Sequence, residues 1–126
     1  MIGKSLLLGF AAFSLAAPVQ APETIAVTLS NFRYTPQTIT LQHGRPYVLR
    51  FVNGAKGGHD FVAKEFFAAA AIAPEDRAKV VKGGVEVSRG ATVELRLTAP
   101  APGRYRAHCS HFMHSTFGMK GEIVVT

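Results

Sequence analysis

Tryptophan is absent from the 126 residues, cysteine occurs once, and acidic residues number 8 against 14 lysines and arginines. The lone Cys109 excludes an internal disulfide, so the fold must rest on a packed core. With 48% hydrophobic and 17% charged residues, the chain has apolar material for one such core and no length for a second domain. Long apolar runs are missing too. The longest stretch, Ser5 to Ala17, falls short of the roughly 20 residues that span a bilayer as a helix. It follows Lys4 and leads to two sets of small residues, Ser14-Leu15-Ala16 and Val19-Gln20-Ala21. This pattern predicts a secretory signal peptide over residues 1–21, cleaved between about 16 and 21, and a mature domain at 22–126.

Export to the periplasm places a free thiol in an oxidising compartment. There it is buried and inert, linked to another chain, or protected by a task such as metal ligation. Loss of Lys4 with the signal leaves a net charge of about +5, which favours an acidic partner surface. The basic residues are scattered, and with export this argues against nucleic acid. Once the signal is removed, the sequence predicts no membrane attachment.

Beyond Pro22, short segments alternate apolar and polar residues, the period of half-buried strands. Ile25, Val27 and Leu29 mark one, Ile39 and Leu41 a second, and Tyr47 to Asn53 a third. Val93, Leu95 and Leu97 mark another, and Ile123 with Val125 the last. Further strands are expected at His59–Ala63 and Gly103–Cys109, with a weaker one near Val85–Val87. Between Lys64 and Val81 the composition turns helical, with Pro74 at a helix start and Glu75 and Asp76 in its first turn. The sum is an all-β fold of seven to eight strands, a two-sheet sandwich or Greek-key barrel, with one or two short helices inserted and Phe66 and Phe67 packing inward.

One stretch carries chemistry. From Cys109 the chain reads Cys-x4-His-x4-Met, placing His114 and Met119 at fixed offsets from the thiol. A thiolate and two imidazoles in a plane, with a thioether on the axis, suit copper in both oxidation states. The second imidazole must come from elsewhere, and His59 begins another strand. Alternation puts Tyr105, Ala107 and Cys109 on one face and His108 on the other, so Cys109 points inward. Phe61, Phe112 and Phe117 are the expected screen around the thiolate.

These residues resemble the copper loop of the cupredoxins, the family of plastocyanin, pseudoazurin and azurin. The resemblance covers most of the mature chain. Asn31 to Ile39 resembles the family's first two strands, Gly103 to Cys109 its penultimate strand, and Met119 to Ile123 its last. It implies an all-β, cupredoxin-like Greek-key β-sandwich with a short helical insert, and a single copper per chain held by His59, Cys109, His114 and Met119, with His114 as the exit for electrons. Three departures stand out: Ser110-His111-Phe112-Met113 lacks the proline common in that loop, Asp60 stands where asparagine is usual, and His111 adds an imidazole beside the thiolate.

The function expected is that of a monomeric one-electron carrier, not an enzyme. Phe112, Met113 and Phe117 would form its docking face toward redox partners. A second reading is periplasmic copper trafficking or resistance, with His111 and Met113 as capture ligands. A third is an oligomeric enzyme with a second copper at His108, because His108-Cys109 also resembles motifs of multicopper oxidases and copper nitrite reductases. Five histidines, no His-x-His pair, and Ser110 where the oxidase motif has histidine argue against a trinuclear centre. His43 is read as a turn residue.

Overall fold

The computed structural model describes residues 2–13 and 20–126. Residues 2–13 carry no helix or strand and are exposed. Of the two cleavage candidates, Ser14-Leu15-Ala16 lies outside the described residues, as does Val19 of the second. No helix among the described residues is long and apolar enough to cross a membrane.

Among the described residues ten strands follow: β1 Glu23–Ser30, β2 Arg33–Thr35, β3 Thr38–Leu41, β4 Pro46–Asn53, β5 His59–Val62, β6 Ala71–Ile72, β7 Gly84–Val87, β8 Thr92–Thr98, β9 Gly103–His108 and β10 Lys120–Val125. They form two five-stranded sheets, ordered β2-β1-β4-β8-β6 and β3-β10-β9-β5-β7. Alternation decides which side chains meet between them. Val27 and Leu29 of β1, Leu49 and Phe51 of β4, and Leu95 and Leu97 of β8 face inward from one sheet. Ile39, Leu41, Phe61, Val85, Ala107, Ile123 and Val125 meet them from the other. Each fully buried large side chain contributes about 1.5–3 kcal/mol, and this layer substitutes for the disulfides that the chain lacks.

The expected eight strands are present. The two additional ones, β2 and β6, are three and two residues long, too short to show a period. β6 interrupts the helical insert. Helix α1, Lys64–Ala69, ends at extended Ala70, the chain pairs Ile72 with Leu97, and a 3₁₀ helix spans Pro74–Lys79 with Pro74 in its first turn. Phe66 and Phe67 are buried as anticipated, with Phe66 edge-on to Tyr105 at 5.6 Å and Phe67 edge-on to Phe61 at 6.3 Å.

Candidate metal centre

Strand register brings the centre together at one end of the second sheet. β9 and β10 are antiparallel, with Lys120 opposite His108, so the next residues outward, Cys109 and Met119, oppose each other. The Cys109 amide donates to the Met119 carbonyl at 3.1 Å and closes the pair. Opposed residues project to the same face, and both side chains are buried, Cys109 at 1% exposure and Met119 at 0%. Gly121 lets β10 pass here, since a Cβ would lie 2.7 Å from the Gln37 carbonyl oxygen.

Between Cys109 and Met119 the loop folds back through consecutive turns. The His114 amide donates to the His111 carbonyl and the Met119 amide to the His114 carbonyl, each at 3.0 Å. Met113 and Gly118 take positive φ, 63° and 103°. These turns direct His114 back over the thiol. His59, first residue of β5 and fully buried, approaches from the neighbouring strand.

The donor atoms converge. His59 Nδ1 lies 3.1 Å from His114 Nδ1 and 3.9 Å from Cys109 Sγ, and His114 Nδ1 lies 3.4 Å from that sulfur. A point equidistant from the three is about 2 Å from each, close to the length of a metal–imidazole bond. The three residues form a group capable of holding an ion. Their chemistry, with buried Met119 alongside, fits copper, for which soft sulfur and borderline nitrogen donors are suited to both oxidation states.

Asn31, at the β1–β2 turn, sets the direction of His59. Its Oδ1 lies 2.9 Å from His59 Nε2, which makes Nε2 the protonated nitrogen and leaves the Nδ1 lone pair facing the centre. Burial, followed by the neighbouring His114 and His111, pushes the His59 pKa below the ordinary histidine range and favours that neutral form. Burial also raises the Cys109 thiol, so taking up a metal releases its proton. Asp60 is turned to the other side of β5, where it accepts hydrogen bonds from the Ser110 amide at 2.7 Å and from the Ser110 hydroxyl. The Tyr34 hydroxyl donates to the Asp60 carbonyl at 2.7 Å and ties β5 to β2.

Of the four residues named from sequence, His59, Cys109 and His114 bring their donor atoms together here, and Met119 is buried opposite Cys109 on the neighbouring strand end. His108 is exposed on the opposite face of β9, and neither it nor His43 joins a three-donor group among the described residues. The aromatic screen differs from expectation. Phe61 is buried, whereas Phe112 is 90% and Phe117 61% exposed. The ring against His114 is Phe32, edge-on at 4.9 Å, with Phe117 beyond it at 5.2 Å. Neither Asn31 nor Phe32 carried a sequence signal toward the site, because Asn31 lies 28 residues before His59, Phe32 is farther still from His114, and only tertiary packing brings them close.

The family model described as a cupredoxin-like domain matches residues 4–125. Among solved structures, the dithionite-reduced auracyanin of the photosynthetic bacterium Roseiflexus castenholzii is 23% identical with a TM-score of 0.61, over 85% of this chain and 99% of that one. Auracyanin A, a blue copper protein of Chloroflexus aurantiacus, is 22% identical with a TM-score of 0.59, over 84% of this chain and all of its own. McoA, a multicopper oxidase of Aquifex aeolicus, is 16% identical with a TM-score of 0.67, over 88% of this chain but 31% of the oxidase. At these identities the likeness is one of fold. No curated protein matches by sequence.

Proposed function

This chain belongs to the cupredoxin-like family, and from that premise we propose that it is an exported single-copper protein carrying one electron at a time between redox partners. The family and the donor set imply one copper per chain. His59, Cys109, His114 and Met119 are its ligands in this reading. The observation that carries it is the convergence of His59 Nδ1, Cys109 Sγ and His114 Nδ1 within 3.9 Å of one another at a buried strand end.

Bound copper would supply a one-electron couple that a trigonal thiolate–imidazole set serves with little rearrangement. The chain's own residues do the rest. Asn31 orients His59 through its ring hydrogen bond, and Ser110 and Asp60 pin the start of the loop. Buried Phe61 and Met119 keep water from the thiolate side. His114 is half-buried and points Nδ1 inward, with Phe32 against its ring, Phe117 beyond Phe32, and exposed Phe112 on the same loop, and these aromatics make the rim. That rim is the docking face, and the side-chain excess of positive charge favours acidic partners.

The same reading assigns residues 1–21 to a secretion signal, 22–126 to a periplasmic monomeric domain, and no substrate chemistry to the protein. In support of the signal, residues 2–13 carry no helix or strand and stand outside the sandwich.

The test is the visible spectrum of the mature protein with one equivalent of Cu(II), wild type beside Cys109→Ala. An intense thiolate-to-copper band that the substitution abolishes is the expected result, together with a reversible one-electron wave in voltammetry. A pale spectrum that is the same in both proteins would overturn the reading.

A further inference from the structure

On the other face of β5 the ladder with β7 sets Asp60 directly opposite Glu86. Like charges in that position repel. Asp60 is 8% exposed, and its carboxylate is held by the Ser110 amide and hydroxyl, with no lysine or arginine within 4.0 Å among the described residues. A buried charge of this kind is ordinarily paired with an opposite charge or coordinates a metal. The two Ser110 bonds leave a lone pair free on each Asp60 oxygen.

The third member is His111, whose Nε2 lies 3.0 Å from both Glu86 oxygens. One donor atom from each of Asp60, Glu86 and His111 falls within 4.8 Å of the others. Gly58 makes room for the group, since a Cβ there would lie 3.1 Å from both Glu86 Oε1 and His111 Cε1. A cavity of about 540 Å³, lined in part by Asp60, Glu86, His108 and Ser110, opens alongside and can hold water ligands. Of the lysines around that cavity, Lys79 is bound to Asp76 and the Glu94 carbonyl, while Lys64 and Lys82 lie toward the Val62–Gly84 end of the ladder.

We propose that Asp60, Glu86 and His111 form a second metal site, for a hard or borderline divalent cation such as Zn(II), separate from the Cys109 centre. Two carboxylates and one imidazole with open positions for water suit such an ion, and carry none of the sulfur that selects copper(I). The cation relieves the Asp60–Glu86 repulsion. It also fixes His111, which stacks on His114 at 5.5 Å and 25°, so occupancy reaches the first centre through ring packing and through charge. A nearby dication favours Cu(I) over Cu(II) and shifts the potential upward.

The test starts from protein loaded with one equivalent of Cu(II), its thiolate band recorded, and titrates Zn(II) by calorimetry in wild type, Glu86→Gln and Gly58→Val. The expected result is one Zn(II) per chain beyond copper, with affinity at least tenfold weaker in both variants while the thiolate band keeps its intensity. Absence of Zn(II) uptake by the copper-loaded wild type, or equal affinity in Glu86→Gln, overturns the proposal. A parallel titration of Cys109→Ser separates this site from the first. Glu86-dependent binding of Zn(II) there supports the second site even if no thiolate band forms in wild type, an outcome that would defeat the copper reading alone.

Discussion

Asn31 is a solvent-exposed residue whose one visible task is to hold a buried imidazole. Its side-chain carbonyl fixes the protonated nitrogen of His59, and a misdirected His59 would present N–H where a lone pair is needed. Truncation should therefore cost metal affinity without costing fold. Asn31→Ala is expected to weaken Cu(II) binding by about 10–100-fold, as outer partners of metal-bound histidines do. Competition against a chelator gives the affinity, and a thermal melt of the metal-free protein should stay within a few degrees of wild type. Equal affinities would remove Asn31 from the centre. The four proposed ligands were readable in sequence because three lie in one loop at fixed offsets and the fourth starts a strand. Asn31, Phe32 and Glu86 were not, because their relation to the site depends on which strands become neighbours.

The elements show the same division. β1, β4, β8 and β10 alternate over six to eight residues, long enough for the period to survive in the sequence. β6 exists because β8 has a free edge for Ala71 and Ile72 to join, and alanine-rich composition pointed to helix instead. The 3₁₀ helix after it is anchored by Asp76, which is 1% exposed. Asp76 accepts from the Arg96 amide at 2.8 Å and the Arg96 side chain at 3.1 Å, and its other oxygen pairs with Lys79 at 2.8 Å. Hydrogen bonds from Arg96, then Lys79, hold the Asp76 carboxyl well below the usual carboxylate range. A depressed folded pKa contributes stability that is present above the unfolded value, near 3.8, and lost as pH falls through the folded value. Asp76→Asn is expected to lose about 1 kcal/mol at pH 7, a modest figure because both cationic partners face solvent and screen the pair. Urea denaturation at pH 7 and pH 3 checks it. The gap between wild type and variant should narrow at the lower pH, and a gap that stays constant would show that the charge of Asp76 contributes nothing.

At the scale of the whole molecule, charge and apolar surface are arranged for brief encounters. The chain carries formal charge +6, while Phe112, Phe117 and Met113, exposed by 90%, 61% and 41%, gather on the loop that holds His114. Long-range attraction brings an acidic reagent near, and the small apolar rim lets it dock without holding it. Ionic strength separates the two contributions, because salt shortens the reach of charge to about 8 Å at physiological strength and leaves apolar contact nearly unchanged. Stopped-flow oxidation of the copper(I) protein by an anionic complex should therefore slow as salt rises from 10 to 200 mM, on the order of severalfold. With a cationic complex of similar potential, the same change in salt should speed the reaction, since it screens a repulsion. Phe117→Asp should slow both reactions at high salt, where the rim dominates, without moving the thiolate band. If both rates are flat in salt, the positive charge plays no part in choosing the partner, and the acidic docking surface has to be given up even where the copper centre stands.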